Sequence, residues 1–345
     1  MCNIAGYIGS KDAMPILIEM MRNEEGWDAG FFTGAVTLNN GKLHSAKVVG
    51  DLQTLLDTTD IAFAPGNLGI MHSRTPGKKT DDFQWSHPFT GEGGRHAAVY
   101  NCSSGMFKNA SNEQRKNVYD TLIKEGYTFQ SARQEPSEVL GNVRVHTCEL
   151  LTQYNTYLIN GGMDAVDAME KVRCEIPMEL AMLMLSVDEP DCILYSKTTY
   201  PMFMGLASHG TYLATTPQAF PDDVERILYL NNMTAGRVYR DHYTTKPFRN
   251  PPAPAAVITP SLWKKAYDTC VEMIKQQPRK YPELEKAVRA IFLEEQPGTV
   301  PAEAPVVYSI LYDLNKTGKT RRIEGTVPGQ REGTTVPKFY AQWVE

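Results

Sequence analysis

The feature that most constrains the fold is the run at residues 4–9, near the start of the opening Met-Cys-Asn-Ile-Ala-Gly-Tyr-Ile-Gly. The run is apolar and punctuated by glycine. Chain ends are usually polar and poorly ordered, whereas a short apolar run bounded by turn residues is typical of a buried strand. The sequence therefore predicts that a buried strand begins almost at the first residue.

Cys2 would carry two groups that titrate near neutrality if Met1 were removed. Methionine aminopeptidase removes an initiator methionine when the next side chain is small, and cysteine qualifies. A free thiol has a pKa of about 8.5 and an α-amine one of about 7.7–8.0. An N-terminal cysteine can activate itself, because its own amine accepts the thiol proton. Cys2 is therefore a candidate nucleophile, and the alternative is that it merely follows the start codon.

Composition excludes several classes of function. The chain has 345 residues and a net charge of −5. A mildly negative protein does not favour binding to nucleic acid or to anionic lipid. No apolar stretch approaches the ~20 residues of a membrane span, and no basic-then-apolar leader opens the sequence. The cysteines lack metal-ligand spacing, so we expect reduced thiols in a cytoplasmic protein without metal or cofactor. They are Cys2, Cys102, Cys148, Cys174, Cys192 and Cys270.

Residues 1 to about 220 alternate short strands with helices. The periodicity predicts helices at 12–23, 112–126, 147–160 and 163–174. It predicts strands at 30–38, 41–49, 66–72, 97–101, 180–187, 191–197, 201–208 and 211–215. Strands in two groups with helices between them favour a layered α+β sandwich over a wound parallel sheet.

The last hundred residues form a separate predicted unit. Residues 246–260 are rich in proline, which predicts a linker. Residues 261–345 are predicted to form a small winged-helix-like α/β module, with three amphipathic helices and strands at about 320–326 and 336–344. Residues 301–345 carry six Lys or Arg against five Asp or Glu, so a structural or dimerising wing is favoured over DNA binding. Whether the protein forms a homo-oligomer stays open.

A series of short motifs follows Cys2 in a recognisable order. They are Gly26-Trp27-Asp28, Gly69-Ile70-Met71-His72-Ser73-Arg74, His87-Pro88, Ala98-Val99-Tyr100-Asn101, Cys148-Glu149-Leu150-Leu151, and Pro201-Met202-Phe203-Met204-Gly205 with Tyr212-Leu213-Ala214-Thr215-Thr216. The series resembles the class II glutamine amidotransferase domain, over residues 2–245. The resemblance implies the four-layer αββα sandwich of the N-terminal nucleophile hydrolases.

The resemblance also implies catalytic roles. Cys2 would attack the side-chain amide of glutamine, forming a thioester and releasing ammonia. The side chain of Asn101 and the backbone N–H of Cys102 would stabilise the oxyanion, and Arg74 would bind the substrate carboxylate through two parallel hydrogen bonds. Taken alone, Asn101 also fits a turn after a strand, and Arg74 also fits a surface ion pair.

Further residues are implied to bind the substrate or to support the site. The substrate-binding residues would be Thr75, His87, Thr147 and Glu149, and Trp27, Asp28 and His72 would support the site from behind. The chain departs from the family pattern at four places: Asn3 and Cys102 each replace a usual glycine, the loop at 75–79 differs, and Thr147 stands where an aspartate would hold the substrate ammonium.

Three functions therefore stay open. The first is a glutaminase that supplies ammonia to an acceptor on another polypeptide, since the synthase halves of the related enzymes would not fit in the remaining residues. The second is a non-catalytic binding or regulatory scaffold of the same fold. The third is an N-terminal nucleophile amidohydrolase acting on a related amide.

Overall fold

The computed structural model describes residues 1–77, 82–108 and 112–344. Within these ranges the helices are α1 (Ala13–Glu24), α2 (Leu52–Thr58), α3 (Asn112–Lys124), α4 (Thr147–Asn160), α5 (Ala165–Glu175), α6 (Pro260–Gln276), α7 (Tyr281–Glu295) and α8 (Glu303–Lys316). The strands are β1 (Asn3–Gly9), β2 (Phe32–Asn39), β3 (Lys42–Val49), β4 (Leu68–Arg74), β5 (Phe89–Thr90), β6 (His96–Ser103), β7 (Glu179–Ser186), β8 (Glu189–Lys197), β9 (Phe203–Ala207), β10 (Gly210–Ala214), β11 (Arg226–Tyr229), β12 (Thr234–Val238), β13 (Tyr243–Pro247), β14 (Thr320–Pro328) and β15 (Thr335–Trp343).

Two antiparallel sheets pack face to face. One has seven strands in the order β11-β9-β10-β1-β4-β2-β3, and the other has six in the order β13-β12-β8-β7-β6-β5. A buried apolar cluster fills the space between them, as alternate residues of each strand face inward. The sheets approach closely at Gly6, where an added Cβ would lie 2.7 Å from Leu183 Cδ1. Members of the cluster include Ile4, Val36, Ile70, Val99, Leu183, Ile193 and Leu213.

Helices cover the outer face of each sheet. Helix α1 packs Met14, Leu17 and Met21 against the outer face of the seven-stranded sheet. Helices α3, α4 and α5 pack against the outer face of the six-stranded sheet, in a separate buried cluster. The order of layers is helix, sheet, sheet, helix, so the sandwich predicted from the sequence is confirmed.

The C-terminal helices join the layer that contains α1. Helices α6, α7 and α8 contribute to the same buried cluster as α1, and so do Phe339 and Ala341 of β15. Strands β14 and β15 form an antiparallel hairpin. The three helices and two strands predicted beyond residue 260 are therefore present. The division at 246–260 and the winged-helix-like character of the module stay predictions.

Candidate active site

Cys2 lies immediately before β1, which is flanked by β10 and β4 in the seven-stranded sheet. Asn3 pairs with Ser73 near the end of β4, so the chain that leaves β4 passes beside Cys2. The backbone N–H of Thr75 donates to Cys2 Sγ at 3.4 Å, and the Thr75 hydroxyl oxygen lies 3.6 Å from the same sulfur. Thr75 therefore orients a thiol that is partly exposed.

The C-terminal hairpin closes over the start of the chain. The α-ammonium of Met1 pairs with the carboxylate of Asp28, whose other oxygen accepts a hydrogen bond from Lys338 Nζ at 2.8 Å. Trp27 makes an edge contact with Phe339, at 5.7 Å between ring centroids. Asp28 thus contacts both the chain start and β15, and Trp27 contacts β15. No pattern in the sequence pointed to Lys338 or Phe339.

Asn101 is fixed at the same end of the sandwich as the start of β1. Its Nδ2 donates to the hydroxyl oxygen of Thr215 at 3.0 Å, and the backbone N–H of Ile4 donates to the same oxygen at 2.8 Å. Thr215 therefore ties β6 of one sheet to β1 of the other. Asn101 is fully buried, and Cys102 next to it is partly exposed.

Arg74 ends β4, next to the residue that holds the thiol. Its Nη1 donates to the backbone carbonyl of Trp85 at 3.3 Å, and its guanidinium lies 4.9 Å from the ring centroid of Phe32. Gly77 passes close to the guanidinium, since an added Cβ would lie 2.9 Å from Nη2. The rest of the loop at 78–79 lies outside the described residues.

Three buried histidines lie beneath this region. The ring centroids of His72 and His87 are 3.9 Å apart, and those of His87 and His146 are 5.6 Å apart. Burial, together with the nearby charge of Arg74, lowers the pKa of His72 to about 3. Burial also holds the pKa values of His87 and His146 well below the ordinary value of 6.5. All three rings are therefore neutral at pH 7.

His146 was missed by the sequence analysis, although it stands directly before the predicted helix at 147–160. Its Nδ1 accepts a hydrogen bond from the backbone N–H of Cys148 at 3.2 Å, so it caps α4. A nitrogen that accepts carries no proton, which places the proton of the neutral ring on Nε2. The helix that carries Thr147 and Glu149 is thereby anchored beside the histidine cluster.

The predicted ligands at the start of α4 have protein partners. Thr147 Oγ1 accepts a hydrogen bond from Arg115 Nη1 at 3.3 Å. The carboxylate of Glu149 accepts hydrogen bonds from the backbone N–H groups of Gln130 at 2.7 Å and Ser131 at 2.9 Å. The contacts of Glu149 thus fix the loop at 130–131, and none of them supports its predicted contact with a substrate.

Thr147 also lines a pocket of about 570 Å³. The pocket is bordered by Ser104, which follows β6, and by Lys108, Arg115 and Arg144. Three cationic side chains and one carboxylate, that of Glu138, therefore line the pocket, and cations outnumber acids there.

Thr75, which follows Arg74 at the end of β4, contacts Cys2, and Thr215 joins Asn101 of β6 to the start of β1. The arrangement offers a thiol, a guanidinium and a carboxamide, which is what attack on an amide and stabilisation of the resulting oxyanion require. His87 and Glu149 are buried in contacts with the protein.

No group of three or more His, Cys, Asp or Glu among the described residues is placed to hold a metal ion. In the same part of the chain, no helix combines the length and apolarity needed to cross a bilayer.

Comparison with curated proteins finds isomerizing glutamine–fructose-6-phosphate aminotransferases. The relative from Caldanaerobacter subterraneus is 29% identical over 245 residues, which is 70% of this chain and 36% of the relative. That from Pyrococcus horikoshii is 26% identical over 248 residues, covering 71% and 38%. The chain therefore spans little more than a third of the length of these relatives. No family model matches the sequence.

Comparison with solved structures finds the same fold. The glutamine phosphoribosylpyrophosphate amidotransferase of B. subtilis superposes with a TM-score of 0.55 at 16% identity, over 74% of this chain and 50% of that one. A structure of the allosteric regulatory enzyme of purine biosynthesis superposes with a TM-score of 0.56, also at 16% identity.

Proposed function

We propose that this chain, about 70% of which is distantly homologous to the class II glutamine amidotransferase domain, hydrolyses the side-chain amide of glutamine through Cys2. The observation that carries the proposal is the position of the thiol. Cys2 Sγ accepts a hydrogen bond from the backbone of Thr75 next to Arg74, while Thr215 ties Asn101 to the strand that Cys2 begins. These contacts support the proposed roles of Cys2 as the nucleophile, Arg74 as the group that binds a carboxylate, and Asn101 as an oxyanion donor.

The first step requires removal of Met1, because the nitrogen of Cys2 is otherwise an amide. The freed amine takes the thiol proton, and the sulfur attacks the side-chain carbonyl carbon of the substrate. A carbon–sulfur bond forms and the carbonyl oxygen becomes an oxyanion. The C–N bond then breaks, and the leaving nitrogen takes the proton from the amine and departs as ammonia.

Asn101 and the backbone N–H of Cys102 would stabilise the oxyanion. The bond from Asn101 Nδ2 to Thr215 fixes the carboxamide and leaves its second hydrogen for the developing charge. Loss of one such donor typically raises the barrier by roughly 2.7–4 kcal/mol. Water then gives a proton to the amine and attacks the thioester, the carbon–sulfur bond breaks, and glutamate leaves while the proton returns to the sulfur.

Arg74 would bind the α-carboxylate of glutamine. Its contacts with Phe32 and with the carbonyl of Trp85 hold the guanidinium plane, and one bond to a backbone carbonyl leaves further N–H groups for a ligand. A planar guanidinium forms two parallel hydrogen bonds with a carboxylate, which fixes orientation as well as position.

One observation favours a second candidate, hydrolysis of a related amide by the same thiol. The resemblance places Thr147 where the substrate ammonium would bind, and Thr147 accepts a hydrogen bond from Arg115. A guanidinium at this position repels an ammonium group, so it favours a substrate whose amine is acylated or missing. Comparing glutamine with glutaramate, which lacks the amine, separates the two candidates.

The ammonia acceptor is proposed to lie on another polypeptide. In the part of the chain that the structure describes, the helices and strands belong to the sandwich, to helices α6 to α8 or to the β14–β15 hairpin. We expect glutamine turnover to be low until such a partner binds, and a partner that leaves turnover unchanged contradicts this expectation.

Replacement of the nucleophile tests the proposal. Cys2→Ala is expected to lower glutamate release from glutamine by at least about 1,000-fold, as removal of a nucleophile does in other acyl-transfer enzymes. Cys174→Ser, which alters another partly exposed thiol, is the matched control and should keep its activity. Intact mass reports whether Met1 is absent and whether an acyl group accumulates. Unchanged release from Cys2→Ala refutes the proposal.

A further inference from the structure

The pocket of about 570 Å³ lies beside the candidate active site. Trp85 connects the two, because its backbone carbonyl accepts the hydrogen bond from Arg74 at 3.3 Å and its ring centroid lies 5.7 Å from the guanidinium of Arg144. Arg144 lines the pocket, and so does Ser104, which follows Cys102 by two residues. A single residue, Trp85, therefore contacts both the arginine proposed to bind a carboxylate and an arginine of the pocket wall.

The charges that line the pocket are mainly positive. Lys108, Arg115 and Arg144 line it, against one carboxylate, that of Glu138. Lys108 pairs with Glu138 at 3.9 Å, and Arg144 pairs with Glu135 at 3.3 Å. The side chains of these two acids are 79% and 53% exposed. Because exposed ion pairs are weak, the carboxylate of a ligand can take the place of either acid.

Arg115 is held in the wall of the pocket by its neighbours. Its Nη1 donates to Thr147 Oγ1 at 3.3 Å, and its Nη2 donates to the side-chain carbonyl oxygen of Asn112. Both acceptors also line the pocket. A cation that is already held in place loses little conformational entropy when an anion binds, so these contacts favour binding of an anion.

The position of the pocket indicates which part of a substrate it would receive. In glutamine the amine and the α-carboxylate are attached to the same carbon. When Arg74 binds the carboxylate, a substituent on the amine begins beside Arg74, where Trp85 leads to the wall of the pocket. Acylation makes the nitrogen a neutral amide, which avoids the repulsion between an ammonium group and the guanidinium of Arg115.

We propose that this pocket is a subsite for an anionic acyl group, and that the substrate of Cys2 is a glutamine whose α-nitrogen is acylated by a dicarboxylic acid. The inference rests on the proposed function. The pocket has the size of a small-molecule site, about 300–1,000 Å³, and is larger than a single ion requires. Lys108 and Arg144 would pair with the distal carboxylate of the acyl group. Ammonia would leave the side-chain amide by the steps given above, and the acyl group would stay on the nitrogen.

Turnover of three compounds tests the substrate class. They are glutamine, N-acetylglutamine, whose acyl group is neutral, and N-succinylglutamine, whose acyl group ends in a carboxylate. At neutral pH and low ionic strength, kcat/KM for ammonia release from N-succinylglutamine should exceed that from N-acetylglutamine at least about tenfold, because charge-assisted hydrogen bonds are the stronger ones. Added salt should lower this ratio, since it screens the charges that face the pocket.

Two variants with opposite expected effects separate a direct contact from a change in the fold. Arg144→Gln removes a cation and should lower the ratio of the two kcat/KM values at least about fivefold. Glu138→Gln removes the competing carboxylate and should raise the ratio. A disturbed fold would affect both acyl compounds alike and leave the ratio unchanged. Arg95→Gln is the matched control, because Arg95 pairs with Asp188 at the opposite end of β6 from Ser104 and should not affect the ratio.

Binding to the full chain carrying Cys2→Ala needs no turnover, so it separates the pocket from the proposed function. In calorimetric titrations, N-succinylglutamine should bind at least about tenfold more tightly than N-acetylglutamine. If wild type releases ammonia from none of the three compounds, the proposed function fails, and the binding ratio alone decides whether the pocket accepts an anionic acyl group. Hydrolysis of glutamine or N-acetylglutamine as fast as N-succinylglutamine, or equal binding of the two acyl compounds by Cys2→Ala, overturns the inference.

Discussion

Arg289 joins the C-terminal helices to the sheet that carries Asn101, and its removal tests how strongly they are coupled. From α7 it donates two hydrogen bonds to Glu179 of β7, at 3.1 and 2.9 Å, and one to Glu303 of α8 at 2.6 Å. Both carboxylates are almost fully buried, with 1% and 3% of their side chains exposed, against 30% for Arg289. Arg289→Met keeps the length of the stem and removes the charge.

The expected loss is about 3–5 kcal/mol of unfolding free energy at pH 8, the usual effect of breaking a buried pair by removing one partner. Two carboxylates are then left buried without a cation. Lys264→Met is the matched control, because Lys264 pairs with Asp268 on an exposed helix surface. Exposed pairs contribute about 0–1 kcal/mol, so this variant should stay close to wild type.

The pH dependence of the loss follows from Glu303. Burial raises its pKa from the ordinary 4.5 to about 7, although Arg289 opposes the shift. Between these values the folded protein holds a proton that the unfolded chain has released, so stability falls as the pH rises through this window. The total loss of unfolding free energy from Glu303 across this window is about 3 kcal/mol, at 1.36 kcal/mol for each pKa unit. Without Arg289 the pKa of Glu303 should rise above 7, and the loss should continue at higher pH.

The deficit of Arg289→Met should therefore be smaller at pH 5, where Glu303 is protonated and mainly the pair with Glu179 is lost, than at pH 8. Urea unfolding followed by tryptophan fluorescence and by circular dichroism measures it, and coincidence of the two transitions justifies a two-state free energy. A deficit below about 1 kcal/mol at pH 8, or one that does not change with pH, would refute the reasoning.

Three further predictions concern the site and buried groups. Arg74→Lys is expected to raise the KM for glutamine at least tenfold with a smaller effect on kcat, because an ammonium cannot form two parallel hydrogen bonds; initial rates showing an unchanged KM contradict this. Gly34→Ala should lower the melting temperature, since the added Cβ would lie 2.1 Å from the His87 carbonyl oxygen. Gly325→Ala, whose added Cβ would lie 3.4 Å from its nearest neighbour, should not. Equal melting temperatures for the two variants contradict this prediction. The unfolding free energy of wild type relative to Lys197→Met should rise from pH 7 to 10, as measured by urea titrations. Burial lowers the pKa of Lys197, so the unfolded chain binds a proton that the folded chain lacks. A free-energy difference that does not change with pH is inconsistent with that shift.

Much of the secondary structure was predictable because it depends on neighbours along the chain. The helix at 147–160 has the same bounds in the structure, and the buried strand expected at the start is β1. The elements that were missed are α2, β5 and β11 to β13. Strand β5 has two residues, and β13 is largely exposed at a sheet edge, so neither shows the alternation on which prediction rests.

The candidate site was predictable only in part. The order of motifs indicated Cys2, Arg74, Thr75 and Asn101, and the structure brings their elements together. The partners of Glu149 could not be foreseen, because they are backbone groups of a loop at 130–131. The burial of Arg173 in α5 could not be foreseen either, because a helical arginine usually faces solvent.

By itself, the sequence determined the local elements, the layered fold class and the chemistry of a thiol at the start of β1. Only the tertiary structure decided what surrounds that thiol. Lys338 pairs with Asp28 across 310 residues, and Asn101 reaches Thr215 across 114. Periodicity and propensity depend on residues a few positions apart, whereas these contacts depend on strand register and on the packing of layers, which no local pattern encodes.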